Sequence, residues 1–362
     1  MAKKVLILGG QGRLGTSIAA DILAHTDAAI TVTGRRQSSR PLPQRCDYLT
    51  LDLANLEAVR QAISRHTLII HCAGPFSYRD THVLETCIAQ GVNYIDVADN
   101  PHYVRAALKL REAAAISGVT AIVSTGVFPG ISNSMVRQGI EQLEAAESIT
   151  LSYVVAGSGG AGVTVMRTTF LELQQPFPGW IEGNWHTVQP YSQRETVSFP
   201  DPYKRCSVYW FNTVEAMTLA DSFPVKTVIT KFGSVPDLYN HLTWMMAHWI
   251  PKRLLQQPNT VEFLAHVSYR MTAVSDRFSG IGIAIRADID GVHKNTPKRY
   301  TATFLHPDTA AAAGIGTGSI AQFLLSGELQ APGVWPVEKA LPTRLFEAAC
   351  QQRGLTVSVV ME

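Results

Sequence analysis

The stretch VLILGGQGRLG, Val5 to Gly15, decides the fold. Val5 to Leu8 read as a short buried strand that runs into Gly10, Gly12 and Gly15 at GxGxxG spacing, just before a helical pattern begins. The spacing has a physical cause. A first glycine permits a tight turn, a second lets the backbone approach a pyrophosphate, and a third lets helix and strand pack closely while the helix N-terminal amides meet the anion. In a strand–turn–helix setting this predicts a bound dinucleotide; the plainer alternative is a glycine turn with no ligand.

Outward from that turn, β-branched apolar runs alternate with helical patterns. KKVLIL is followed by a helix from Leu14 to His25, then AAITVTG, YLTLDL, a helix from Asn55 to Ser64, and TLIIHCAG. A helix from Thr81 to Gln90, VNYIDVA, a helix from Pro101 to Ser117 and VTAIVST complete the series. Continuous rather than alternating apolar runs imply strands covered on both faces, hence a doubly wound parallel α/β sheet over residues 1–130. From 131 to 307 the pattern changes. A helix from Ser134 to Glu144 precedes the half-alternating SITLSYVVAG, while Gly157–Gly162 and Pro176–Tyr203 read as long loops and IGIAIRADIDG with KRYTATFL as an antiparallel pair. This is a second, α+β mixed-sheet domain. Residues 308–362 hold an Ala-rich helix, the punctuation APGVWP, a helix from Leu341 to Gln352 and the strand LTVSVV, a tail expected to pack back on the first domain.

Composition narrows the function. With 362 residues, 46% hydrophobic content, 17% charged residues and a net charge of +2, the chain is neither disordered nor basic enough to mark a nucleic-acid partner. A small-molecule substrate fits better. Cys46, Cys72, Cys87, Cys206 and Cys350 stand far apart, without the spacing of a zinc site or a disulfide framework, so reduced thiols, no metal and a cytoplasmic location are expected. The apolar run after MAKK is too short for a signal peptide.

The second strand chooses the dinucleotide. An NAD-binding unit places an acidic residue near its end for the ribose 2′-hydroxyl, whereas TVTG is followed by Arg35 and Arg36. Forked guanidinium donors suit a 2′-phosphate, so NADP(H) is expected; the competing reading is a solvated basic turn. Asp52, after the third strand, is placed either to accept from the adenine amino group or to cap the helix beginning near Asn55. HCAGPF ends the fourth strand at the carboxyl edge, where a nicotinamide ribose could pass over Ala73 and Gly74.

GGQGRLG, HCAGPF, GVNYIDVAD, STGVFPGISNSM, GSGGAGVTVMRTTFLEL and APGVWPVE occur in the order and spacing of the saccharopine dehydrogenase-like family of NADP-binding reductases, which the chain resembles over nearly its whole length. The resemblance implies a Rossmann domain, a mixed-sheet second domain and a cleft holding cofactor and substrate. By it Gly10, Gly12, Arg13, Leu14 and Gly15 would bind the pyrophosphate and Arg35 and Arg36 the 2′-phosphate. Ala73, Gly74, Pro75 and Phe76 would lie along the ribose, with Val127, Pro129 and Gly130 near the nicotinamide. Amino-acid-handling members show an acidic residue just before the Pro-Gly of the last of these motifs. This chain has Phe128 there, which argues against a cationic amino-acid substrate such as saccharopine.

A proton donor is harder to find. No YxxxK pair exists at Tyr78, Tyr94, Tyr103, Tyr153 or Tyr300. Asp99 and His102 follow the fifth strand and could act as acid or base, although ADNPH also reads as a helix start with Asn100 as cap and Pro101 in first position. His71 reads as a core histidine. Leu238, Leu242, Met245 and Trp249 share one helical face, with Lys252 and Arg253 beyond Pro251; core packing is the commoner cause, a lipid pocket or membrane surface the other. The expected function is NADP(H)-dependent hydride transfer to or from C=N, C=O or C=C of a small, apolar metabolite, with a non-catalytic NADP(H)-sensing regulator as the rival. Beyond substrate, the partners left open are a membrane surface touched peripherally, without a transmembrane segment, and a second copy in a homodimer.

Overall fold

Val5 to Leu8 are fully buried because a strand runs along each side of them. The computed structural model describes residues 3–37, 41–159, 163–173, 175–255 and 257–362. The chain divides into two units, Met1–Ile131 with Ala310–Ala349, and Ser132–Thr309 with Cys350–Glu362.

The first unit runs β1 (Lys4–Leu8), α1 (Arg13–His25), β2 (Ala29–Gly34), β3 (Cys46–Thr50), α2 (Leu56–Ile63), β4 (Leu68–His71), α3 (His82–Gln90), β5 (Asn93–Asp96), α4 (Pro101–Leu108), α5 (Arg111–Ile116) and β6 (Thr120–Val123). Every pairing is parallel, in the order β3-β2-β1-β4-β5-β6. This is the doubly wound Rossmann architecture. Val5 lies opposite Ile30 on one side and Leu68 on the other, so the strand order reverses at β1 and opens a crevice at its carboxyl end.

The second unit begins with α6 (Ile131–Ile140), one residue of which falls in the first, then β7 (Ala145–Ala156), α7 (Val163–Glu172), β8 (Phe177–Ile181), β9 (Asn184–Val188), β10 (Glu195–Ser198), β11 (Arg205–Trp210) and α8 (Val214–Ser222). It continues with β12 (Thr227–Val235), α9 (Leu238–Trp249), α10 (Lys252–Leu255), α11 (Pro258–Ser279), β13 (Gly282–His293) and β14 (Thr296–His306). The tail follows as α12 (Thr309–Ser326), β15 (Gly333–Pro336), α13 (Val337–Ala340), α14 (Thr343–Arg353) and β16 (Val357–Met361). Among the described residues the second sheet is mixed: β12 and β7 are parallel, whereas β13 pairs antiparallel with both β7 and β14.

Four local expectations are corrected. Pro176–Tyr203 is not one long loop, because FPGWI and NWHTV form a hairpin across Glu182 and Gly183, both at positive φ. The helix expected from Pro101 to Ser117 breaks after Leu108, where Arg111 stacks over Trp335 at 4.2 Å and donates to the Val334 carbonyl at 3.1 Å. APGVWP is more than punctuation, since Gly333–Pro336 is a seventh parallel strand beside β6. The tail does not all pack on the first unit: β16 pairs with β14 in the second sheet. Gly160, Ala161 and Gly162 of the expected glycine loop lie outside the described residues.

The stripe on α9 also differs from the core role expected of it. Leu238, Met245 and Trp249 are exposed, and the residues packed inward are Trp244, Met246 and Ala247. No helix of the described residues is long and apolar enough to cross a membrane.

Within the first unit α1 is clamped by contacts that leave no room for a side chain. A Cβ on Gly15 would lie 2.5 Å from the Gly10 Cα and 2.7 Å from the Gly9 oxygen. On α12, Gly314 and Gly318 press as closely on Ser17 and Asp21. Gly15→Ala therefore pushes backbone against backbone and should cost about 2 kcal/mol or more, at the upper part of the overpacking range. Gly12→Ala, whose nearest neighbour would be the Gly9 oxygen at 3.2 Å, should cost much less. Urea unfolding midpoints of the two variants check the difference.

Candidate functional site

The corner between β1 and α1 is held open by its glycines. Gly9 has φ +78° and would strike the Ala73 Cα at 2.9 Å if it carried a Cβ, and Gly10 would strike the Val32 side chain at 2.7 Å. Its turn is closed by Gly12 N donating to the Gly9 carbonyl at 2.9 Å and Gly9 N to Thr33 Oγ1 at 3.2 Å. Gly12 is the N-cap of α1 and supplies no capping side chain, so the helix starts with first-turn amides facing outward. Such a terminus takes an anion.

Arg35 and Arg36 follow β2 directly and are exposed. Tyr48 on β3 donates to the Arg36 carbonyl, which fixes the backbone beneath the two guanidiniums. Asp52 is exposed and its Oδ1 accepts the Ala54 amide at 3.0 Å; the cap of α2 is Asn55, accepting the Ala58 amide at 3.1 Å. Capping is therefore not the work of Asp52.

After β4, Ala73, Gly74 and Pro75 are half-buried. Phe76 turns inward, its ring 5.0 Å from His71 and 4.9 Å from Tyr103, so only its backbone stays near the crevice. His71 accepts the Ala73 amide at Nδ1 (3.2 Å), and burial with help from Arg79 pushes its pKa down to about 3, which keeps it neutral. Val127, Pro129 and Gly130 are buried and Phe128 half-buried. Gly130 has φ +133° and a Cβ there would lie 2.2 Å from the Gly126 oxygen, so this loop closes on itself only with glycine.

Asp96, at the end of β5, is the group that sequence reading missed. It is fully buried and accepts three donors: Ser124 N at 2.7 Å, Ala98 N at 3.0 Å and Tyr94 Oη at 3.1 Å. Tyr94 in turn shares a 2.8 Å hydrogen bond with Tyr103, the ring against which Phe76 packs. One carboxylate thus ties together the segments that follow β4, β5 and β6. The only signal in the sequence was an acid within an apolar strand, NYIDVAD. Asp99, half-buried, contributes to the upward push on the Asp96 pKa; Asn100 caps α4 by accepting the Tyr103 amide at 3.0 Å, with Pro101 behind it and His102 exposed on the first turn. In the second unit Glu215, also missed, is fully buried and accepts from Tyr153 at 2.7 Å and Ser132 at 2.9 Å, and burial pushes its pKa up. Among the described residues no cluster of His, Cys, Asp and Glu could hold a metal ion, and no disulfide joins the five cysteines.

Residues 5–122 match the family model of the saccharopine dehydrogenase NADP binding domain. The match covers about a third of the chain. The saccharopine dehydrogenase-like oxidoreductase of Homo sapiens is 32% identical over 130 residues, which is 36% of this chain and 30% of that protein; its Rattus norvegicus counterpart is 24% identical over the same length. The match thus spans less than a third of the curated relatives. Among solved structures, apo saccharopine dehydrogenase (L-Glu forming) from Saccharomyces cerevisiae aligns over 100% of both chains with a TM-score of 0.72 at 14% identity. An engineered D-amino acid dehydrogenase bound to NADP+ aligns over 95% of this chain and 96% of its own, with a TM-score of 0.50 at 16% identity. At such identities the structures show a shared fold. Residues 5–122 are thus similar to the NADP-binding domain of saccharopine dehydrogenase-like oxidoreductases, and the whole chain shares their fold.

Burial pushes the carboxyl of Asp96 from 3.8 up to about 6. The folded state therefore holds this proton more tightly than the unfolded chain, and the associated stability is present below about pH 4 and lost as pH rises through about 6; two pH units are worth about 3 kcal/mol. Asp96→Asn can keep both amide acceptor bonds and donate to Tyr94, so the difference in unfolding free energy, wild type minus variant, should fall between those pH values and be flat above about pH 7. Asp96→Ala strands two buried amides and should cost about 2–4 kcal/mol. Urea titrations at several pH values measure both.

Proposed function

We propose that the protein is an NADP(H)-dependent oxidoreductase that moves a hydride to or from a C=N, C=O or C=C bond of a small, apolar metabolite. The observation that carries this reading is the uncapped start of α1 at the end of β1, with two exposed guanidiniums one strand away and no carboxylate closing β2. A pyrophosphate would be taken by Gly10, Gly12, Arg13, Leu14 and Gly15, and a 2′-phosphate by Arg35 and Arg36. Asp52 would accept from the adenine amino group. The Ala73–Gly74–Pro75 backbone, with that of Phe76, would run along the ribose, and Val127, Pro129 and Gly130 would back the nicotinamide.

The cofactor, when bound, supplies the hydride chemistry; the chain has to orient, exclude water and move a proton. Asp99 and His102, at the carboxyl edge after β5, are the groups proposed to exchange that proton. Phe128 supports an apolar substrate, since an acid at that position would be needed to hold a cationic amino acid. Five cysteines that form no disulfide suit a reducing compartment, and the cytoplasm is the proposed location.

Screening metabolites for NADPH oxidation, with Asp99→Asn and His102→Gln as controls, tests the catalytic reading. Tight NADPH binding with no turnover on any carbonyl, imine or enone class would favour the sensing regulator instead. Replacing Arg35 and Arg36 together by Ala should weaken NADPH binding about thirtyfold, or about 2 kcal/mol, and leave NADH binding nearly unchanged. Isothermal titration with both cofactors reads this, and equal losses would refute the 2′-phosphate assignment.

A further inference from the structure

The second unit carries two neighbouring helices whose outer faces are apolar and whose inner faces are already spent. Trp244, Met246 and Ala247 of α9 pack with Val261, Leu264 and Ala265 of α11 in one core, and Tyr239 donates to the Met271 carbonyl at 3.1 Å, fixing the first helix to the second. Outside, Leu238 (59%), Met245 (39%) and Trp249 (68%) are exposed on α9, as are Phe263 (66%), Val267 (37%), Met271 (40%) and Val274 (63%) on α11. The α11 set recurs at three- and four-residue spacing and the α9 set at seven and four, so each forms a stripe along one helical face. Leu254 between the helices and Ile281 after them add to the surface.

The charges around these stripes select the occupant. On the helical period Arg270 and Arg277 stand beside Phe263 and Val274, and Arg253 sits between the two helices; all three are exposed, and among the described residues no carboxylate pairs with them. The acids of the same elements are engaged. Glu262 holds Arg167 at 2.6 Å and His266 at 3.0 Å; Asp276 accepts the amide and hydroxyl of Ser158 at 2.6 and 2.7 Å; Asp237 takes Asn240 at 2.7 Å and Arg194 and His241 at 3.4 Å. What remains is an apolar stripe with a tryptophan and a phenylalanine, edged by unneutralised arginines. Such a surface lies in the headgroup region of a bilayer, apolar side down, with its cations reaching anionic lipids.

We propose that α9 and α11 form a docking face that rests the second unit on a phospholipid surface bearing anionic headgroups. α11 has the length of a spanning helix but carries too many polar residues to cross a bilayer, so the contact is peripheral. Such binding needs both signals, apolar area and charge.

The full chain should co-sediment with vesicles of phosphatidylcholine and phosphatidylglycerol far better than with phosphatidylcholine alone. Trp249→Asp with Phe263→Asp should weaken this at least about tenfold, and Arg270→Gln with Arg277→Gln about thirtyfold, at about fivefold for each basic residue near such a surface. Both pairs are exposed, and circular dichroism with the urea unfolding midpoint reports whether each variant is folded; should the aspartate pair fail to fold, the glutamine pair still decides. Failure to sediment with anionic vesicles, or binding that both variants retain, would overturn the proposal. So would a wild-type dimer in sedimentation velocity that the aspartate pair turns to monomer without any vesicle binding, because a second copy would then cover this face.

Discussion

Backbone resting on backbone, where α1 crosses the Gly9–Gly10 corner, is the contact on which the first unit depends. A 13-residue helix is marginal by itself, and this one has no side-chain cap. It is held in place by closeness. Gly15 lets its first turn settle on the corner, Gly9 lets the corner settle against Ala73, and Gly10 lets it settle against Val32. Those three contacts join α1 to the ends of β4 and β2 as well as to β1. The helix therefore aims its N-terminal amides from a point fixed relative to three strands, which is the preorganisation an anion site needs.

Asp96 does the corresponding work at the other side of the crevice by electrostatics rather than by fit. A carboxylate buried without partners would cost far more than its strand could supply, so its presence is explained only by the three donors that converge on it. Two of these are backbone amides from different loops. The same burial that raises its affinity for a proton makes the network stringent, because moving either loop leaves a charge or an amide unpaired. The segments after β4, β5 and β6 consequently hold one arrangement, and Asp99, Asn100 and the Ser124–Gly130 loop inherit their positions from it.

What was legible in the sequence was whatever is periodic or local. Apolar runs gave the parallel strands and GxGxxG gave the corner; Asn100 and Pro101 were readable as a helix start and act as one. What was not legible depends on partners distant in sequence. Gly333–Pro336 looks like punctuation until β6 offers it an unpaired edge, and the break after Leu108 follows from Arg111 meeting Trp335, over two hundred positions away. Asp96 carried a visible anomaly, but its role needed Ser124 beside it. The hairpin around Glu182 and Gly183 was missed for a different reason: proline and tryptophan at its ends masked an alternation that was present.

The two arginines after β2 show how, on the proposed reading, an exposed site would be selective. Free in solvent they contribute little to stability, since exposed charges on long side chains gain little from water-screened neighbours. On the proposed reading their value would appear when a dianionic group arrives between them, because charge-assisted, forked hydrogen bonds would then replace hydration at a site whose backbone is already pinned by the Tyr48 hydroxyl. On the proposed reading, selectivity between phosphorylated and unphosphorylated dinucleotide would come from a local difference in charge, while affinity for the shared part would come from the glycine corner. The two contributions would lie after different strands, β2 and β1, so each could change without disturbing the other, and the fold could keep the proposed nucleotide cradle while two surface residues set the choice of nucleotide.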